Sequence, residues 1–250
     1  MMADRQAPAR VSAPQLIAAL LIGFVCIPAE GAISLVAHAA GTGGHTNGDT
    51  TSAVNTAGAS LLVAAVGGSG SGTFTVSDTY NNVWIPLSSP GADAVNGIVR
   101  IYYVVNPAVG SGHQVSVTGS GIFATIAMQA FSGVAVVSTL ETQSGAATGS
   151  STTFQAGSVT PLAAGDIVVA AIEQGSATSV TMSGATVTDQ IATVGGLSYG
   201  VAMAYLLAPS SSPQNPTWTT NITTVASRST GIFAQAPAGG PRVTAQGFSF

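Results

Sequence analysis

The hydrophobic pattern of the chain occurs twice. Ser60–Val66 (SLLVAAV) and Asp166–Ile172 (DIVVAAI) are apolar at nearly every position and lie 106 residues apart. A short apolar run without alternation predicts a strand covered on both faces, in the middle of a sheet. Thr75-Val76-Ser77 and Thr181-Met182-Ser183 keep the 106-residue offset, and Ile101–Val105 (IYYVV) answers Met203–Leu207 (MAYLL) at 102. Three segments sharing one period imply an internal duplication of about 105 residues.

Alternation assigns the faces of the third segment. Val99, Ile101, Tyr103 and Val105 point one way; Arg100, Tyr102 and Val104 point the other. In the second copy Val201, Met203, Tyr205 and Leu207 take the first face, with Ala202, Ala204 and Leu206 opposite. The first face is expected to be core in both copies. Further strands are predicted over Ile33–His38, Thr73–Ser77, Val83–Leu87, His113–Thr118, Phe123–Phe131, Gln214–Thr219 and Val225–Phe233, with Val117 answering Trp218. Gly41–Asp49 reads as a polar loop and Asp78–Asn82 as an Asx turn. Short strands with turn signals every roughly 8 to 12 residues predict an all-β fold, a jelly-roll-like β-sandwich built from two tandem repeats. Repeat 1 covers 32–137 and repeat 2 covers 138–237. No Pro/Gly linker interrupts Val137–Thr139, so separate sandwiches packed together and one shared unit both stay open.

The ends differ from this pattern. Leu16–Ile27 is a run of twelve apolar residues after Arg5 and Arg10, and Pro28 breaks it before the small residues Ala29 and Gly31. This is the anatomy of a secretory signal, and the run falls short of the ~20 residues of a membrane span. Residues 1–31 are therefore expected to be a leader helix, either removed as a signal peptide or kept as a hydrophobic anchor. Beyond Pro237 the tail, 238–250, changes to Gly239-Gly240-Pro241 and then Arg242–Phe250.

Composition narrows the function. Charged residues make up 6% of the chain, against ~25% in a typical soluble protein, and none is lysine. The surface must consist mainly of Ser, Thr, Asn, Gln and Gly. With a net charge of −4 and no basic cluster, nucleic acid is excluded as a partner, because phosphate neutralisation needs Lys and Arg in numbers. The lone Cys26 excludes an internal disulfide and a cysteine-rich metal site. Membrane contact is expected only through a retained leader.

At Leu61-Leu62-Val63, Val76-Ser77-Asp78 with Asn81-Asn82, Tyr102-Tyr103 and Asp166-Ile167-Val168 the chain resembles a little-characterised family of bacterial secreted and phage-associated proteins. The likeness covers about residues 33 to 236. It implies a duplicated sandwich and extracellular display, and carries no catalytic residue with it.

Candidate chemistry is sparse. His38, His45 and His113 stand in unrelated contexts, and neither a His-Glu-x-x-His nor a Gly-x-Ser-x-Gly motif occurs. The acids are scattered singly, and Ser60 stands where Asp166 does. Asp78, Asn81 and Asn82 offer oxygens to a structural calcium ion, or form an Asx-stabilised turn; no other cofactor is expected. Trp84, Tyr102 and Tyr80 could form an aromatic platform for a sugar ring, whereas alternation turns Trp218 inward. The expectation is a non-enzymatic structural protein of an extracellular or virion surface, serving assembly or adhesion. Its partners would be further copies of itself or a neighbouring surface protein. A carbohydrate-binding module or adhesin is the alternative.

Overall fold

The computed structural model describes residues 32–41, 45–70, 73–92, 97–155, 157–175, 179–190 and 200–237. The expected leader, the tail from 238 and Asp93 lie outside them. Every regular element among the described residues is a strand. Repeat 1 supplies β1 (Ser34–Ala40), β2 (His45–Thr50), β3 (Leu61–Gly70), β4 (Thr75–Asp78), β5 (Ile85–Pro86), β6 (Gly91–Ala92), β7 (Gly97–Val105) and β8 (Val115–Ser132). Repeat 2 supplies β9 (Leu140–Gln155), β10 (Ile167–Gln174), β11 (Val180–Met182), β12 (Thr186–Gln190), β13 (Gly200–Leu207) and β14 (Thr217–Phe233).

Each repeat builds its own antiparallel sheet on one plan. Sheet 1 runs β1-β8-β3-β7-β5, with β2 and β4 on β8 and β6 on β7. Sheet 2 runs β11-β14-β10-β13-β12, with β9 on β14. Thus β3 matches β10, β7 matches β13, β8 matches β14, and β9 does the work of β1 and β2 together. The central strands β3 and β10 are the two apolar runs. Leu61–Val66 and Ile167–Ile172 are buried throughout, as a strand with cover on both sides requires.

The two covers differ in origin. One face of each central strand enters a core that the repeats share: Leu61, Val63 and Ala65 with Ile101 and Phe131 meet Ile167, Val169 and Ala171 with Met203 and Phe233. The opposite face fills a private interior. Leu62, Ala64, Val66, Tyr102 and Val117 line that of repeat 1, and Ala170, Ile172, Ala204, Phe154 and Trp218 that of repeat 2. The face expected to be core is therefore the one through which the repeats meet. Val99, Ile101, Val201 and Met203 are fully buried there, but Leu207, at the end of β13, is exposed.

The meeting is reciprocal. Tyr103 lies 5.4 Å from Phe233, and Phe131 lies 5.2 Å from Tyr205, between ring centroids. Tyr205 and Phe233 are the counterparts of Tyr103 and Phe131 at the 102-residue offset, so the second contact is the first with its partners exchanged. That exchange is the signature of a two-fold interface, here within one chain. The flanks repeat it. The Ser89 N–H donates to Gln143 Oε1 at 3.1 Å and the Ser229 hydroxyl to the Ser89 carbonyl at 3.1 Å; on the other side Gln129 Nε2 donates to Thr188 Oγ1 at 2.8 Å, and His38 Nδ1 lies 3.1 Å from Asp189 Oδ1. Gly91 shows how close the approach is: a Cβ there would stand 2.4 Å from the backbone N and O of Arg228.

The elements depart from the sequence expectation at several points, and β9 is a strand where none is predicted. The polar loop over Gly41–Asp49 contains most of β2, paired with β8 through a bulge at Asn47, whose φ is 70°. The predicted strands His113–Thr118 and Phe123–Phe131 merge into the single strand β8, which begins at Val115, and Gln214–Thr219 and Val225–Phe233 into β14, which begins at Thr217. Gly121, at φ 68°, lets β8 turn while it stays in the sheet.

Candidate functional site

The polar side chains singled out in repeat 1 converge on Asp78, the last residue of β4. Its Oδ1 accepts the backbone N–H of Tyr80 at 2.9 Å and of Asn82 at 3.0 Å. Its Oδ2 accepts from Asn82 Nδ2 and from Trp84 Nε1, each at 2.9 Å. Asn82 continues outward, donating to the Ala108 carbonyl at 2.9 Å and accepting the Ala108 N–H at 2.7 Å. This is the Asx turn expected of DTYNN, extended by the indole and tied to the loop after β7.

A buried histidine completes the cluster. His113 Nε2 lies 3.4 Å from Asp78 Oδ2, and its Nδ1 lies 2.8 Å from Thr56 Oγ1. An ionised carboxylate only accepts, so Asp78 favours a proton on Nε2, the ring nitrogen that faces it. Tyr80 covers the imidazole with ring centroids 4.8 Å apart and donates its phenol to the Ser111 carbonyl. Burial alone would push the Asp78 carboxyl up. The donors from Asn82 and Tyr80, with His113 beside them, outweigh that and hold it below its ordinary value.

The order Asp78–His113–Thr56 is that of an acid–base relay ending in a hydroxyl. In this geometry the relay is closed: Thr56 and His113 are fully buried, and Thr56 Oγ1 also accepts the Gly110 N–H at 3.2 Å. As arranged, the cluster clamps the turn over 78–82 to the segment over 108–113. His113 and Thr56 were missed as partners because they lie far from Asp78 in sequence. The isolated bridge between Val54 and His113 brings them together.

The other expected site residues are placed as follows. Asn81 is exposed at φ 57°, a left-handed turn position, and both Asp78 oxygens already accept N–H donors. Among the described residues no three His, Cys, Asp or Glu side chains converge as metal ligands would. Tyr102 is 5% exposed and packs in the repeat 1 interior, where burial raises its phenol against the pull of Arg100. Tyr80, which lies on His113, and Trp84 are half-buried, while Tyr102 is buried; the three do not form one exposed surface. Trp218 is fully buried, as alternation required. Two acids that looked isolated meet: Glu141 accepts the Leu162 N–H at 3.0 Å, and Asp166 lies beside it. Burial, joined by Asp166 and opposed by the Leu162 N–H, raises the Glu141 carboxyl.

Repeat 2 has no counterpart of this cluster. Gly184 replaces Asp78 at the 106-residue offset, and Gln214, bridged to Val159, replaces His113. The molecule is thus an all-β module of two similar antiparallel sheets, with one polar clamp in its first half. Compared with protein-family models, curated proteins and solved structures, the chain matches none.

Proposed function

We propose that the protein is a non-enzymatic structural unit of an extracellular or virion surface, of the secreted and phage-associated kind its sequence resembles, and that it assembles with copies of itself. Each repeat closes on its private interior in a jelly-roll-like manner, and the pair forms the building block. One observation carries this reading. Strand β9 is sixteen residues long, pairs with β14 alone among the described residues, and has no charged residue from Thr142 to Gln155. Edge strands are normally kept apart by charges, prolines or bulges that twist the edge away. Its surroundings add no repulsion: all eight charged residues among the described ones are buried or half-buried. β9 is bulged against β14 before Thr142 and beyond Thr148, but over Thr142–Thr148 its pairing is unbroken, and an edge without charge or proline favours strand addition between copies.

Glycan recognition is the weaker reading, because Tyr102 is buried, Tyr80 packs on His113 and Trp84 spends its N–H on Asp78. Light scattering and electron microscopy of the purified chain test the preferred one. Concentration-dependent ordered assemblies are expected, abolished when Ser150→Lys and Thr152→Lys place charges on β9. A chain that stays monomeric at high concentration would overturn it.

A further inference from the structure

The molecule is polarised along its strands. At one end β8 and β14 stop while β3 and β10 start, with Leu61 paired to Phe131 and Ile167 to Phe233. Of the seven large apolar side chains exposed among the described residues, Val136, Val137, Leu162 and Leu207 lie at this end. Val83 and Ile85 sit on the adjoining edge of sheet 1, and one lies elsewhere. Val137 is 76% exposed and Leu162 78%. Beside Val136 and Val137 opens a cavity of about 480 Å³, walled also by Ser60, Val134 and Pro237. Exposed apolar side chains gathered at one end of a molecule mark a contact site.

The chain indicates what lies against it. Ser34 pairs with Ser132 and Pro237 walls the cavity, so both ends of the described core emerge at this pole. Five residues, 28–32, separate Ile33 from the twelve-residue apolar run Leu16–Ile27. Fully extended they reach at most about 18 Å. A run that short is a weak anchor alone, and stable attachment to a bilayer takes two signals. A tether of five residues makes the second contact effectively intramolecular, so even a modest apolar patch adds strongly to retention. The two acids at this pole are kept from open solvent: Asp166 is buried and accepts the Ala163 and Gln235 N–H groups, and Glu141 is half-buried and accepts the Leu162 N–H.

We propose that this pole is a membrane-contacting face: residues 16–27 stay attached and enter a lipid surface, and Val136, Val137 and Leu162 lie down on it. The proposal rests on the surface-display reading only in taking the chain to act at a cell surface.

The full-length chain carrying Cys26→Ser, with a single cysteine at Val137, at Leu162 or at Ser120, would be labelled with an environment-sensitive fluorophore and mixed with phosphatidylcholine vesicles. Ser120 is exposed at the opposite end of β8. A blue shift with severalfold brighter emission is expected at 137 and 162 and none at 120. The shift at 137 should fall when Val136→Asp and Leu162→Asp are added. Vesicle-bound chain with an unchanged label at 137 and 162, equal shifts at all three sites, or no vesicle binding would each overturn the proposal. A shift at 137 that grows with protein concentration without vesicles would assign the pole to a second copy, overturning the lipid contact and leaving assembly standing. A vesicle-dependent shift in a chain that stays monomeric would do the reverse.

Discussion

The two private interiors are built on one backbone plan with their bulk exchanged. In repeat 1, Tyr102 on β7 and Val117 on β8 fill the space beside β3; in repeat 2, Ala204 on β13 and Trp218 on β14 fill the matching space beside β10. The arginines trade places in the same way. Arg100 and Ile126 flank Val66, whereas Ala202 and Arg228 flank Ile172. Burial lowers the Arg228 pKa from its ordinary value, and its guanidinium stands 5.5 Å over the Phe154 ring. On the shared face, by contrast, the central valine and the aromatic pairs are the same in both copies, Val63 and Val169, Tyr103 and Tyr205, Phe131 and Phe233, although Ile101 answers Met203 and Ala127 answers Ser229. A private interior answers only to its own volume, so compensating swaps pass. A residue on a two-fold face touches the counterpart of its own neighbour, which restrains both copies at once.

The largest effect is expected where the exchange is largest. Trp218→Ala should cost about 3–5 kcal/mol in chemical denaturation. Trp218→Val combined with Ala204→Tyr, which rebuilds the repeat 1 arrangement, should recover more than half of what Trp218→Val alone loses. No recovery would break the comparison. Asp78→Ala comes next, at about 2–3 kcal/mol, because four N–H donors lose their acceptor; Gly184→Ala, at a repeat 2 turn held by φ 68° and facing open space, should cost about 1 kcal/mol.

Gly91→Ala should cost about 1–3 kcal/mol, since the added Cβ meets backbone that cannot step aside. Smaller still are the aromatic couplings. Double-mutant cycles on Tyr103/Phe233 and Phe131/Tyr205 should each give about 0.5–1.5 kcal/mol, and similar values in both. A coupling present in one pair and absent in the other would deny the two-fold relation.

The dependence on pH separates Asp78 from Glu141. The Asp78 carboxyl is held below its ordinary 3.8, so its contribution is full above that value and disappears as pH falls through the lower folded value. Glu141 is raised above 4.5, so its contribution is full below that value and disappears as pH rises through the folded one. Plotted as melting temperature against pH, Asp78→Asn should flatten the acid limb and Glu141→Gln the limb above 4.5.

How much of this the sequence carried depends on the range of the interaction. The central strands, the faces of β7 and β13 and the inward Trp218 could be read directly, because burial leaves a period-two or unbroken apolar trace. The match of Val117 to Trp218 was legible too, and the paired positions Val76–Val117 and Met182–Trp218 bear it out. β2 and β9 were not legible. Their Gly, Asn, Ser and Thr residues carry loop chemistry, and only pairing to β8 and β14 makes them strands. The clamp could be read only in part. Asp78 to Asn82 is local, whereas Thr56 and His113 join through a bridge between distant segments.

The central claim is that the repeats fold as one unit through the core they share. Each repeat holds one of the two tryptophans, Trp84 in the first and Trp218 in the second. Variants Trp218→Phe and Trp84→Phe, unfolded in guanidinium, allow fluorescence from the remaining tryptophan to be compared with far-UV circular dichroism of the same sample. One shared core predicts that the two signals change at a single midpoint in each variant. A tryptophan midpoint displaced from the circular dichroism midpoint, with one repeat unfolding while the other stays native, would contradict it.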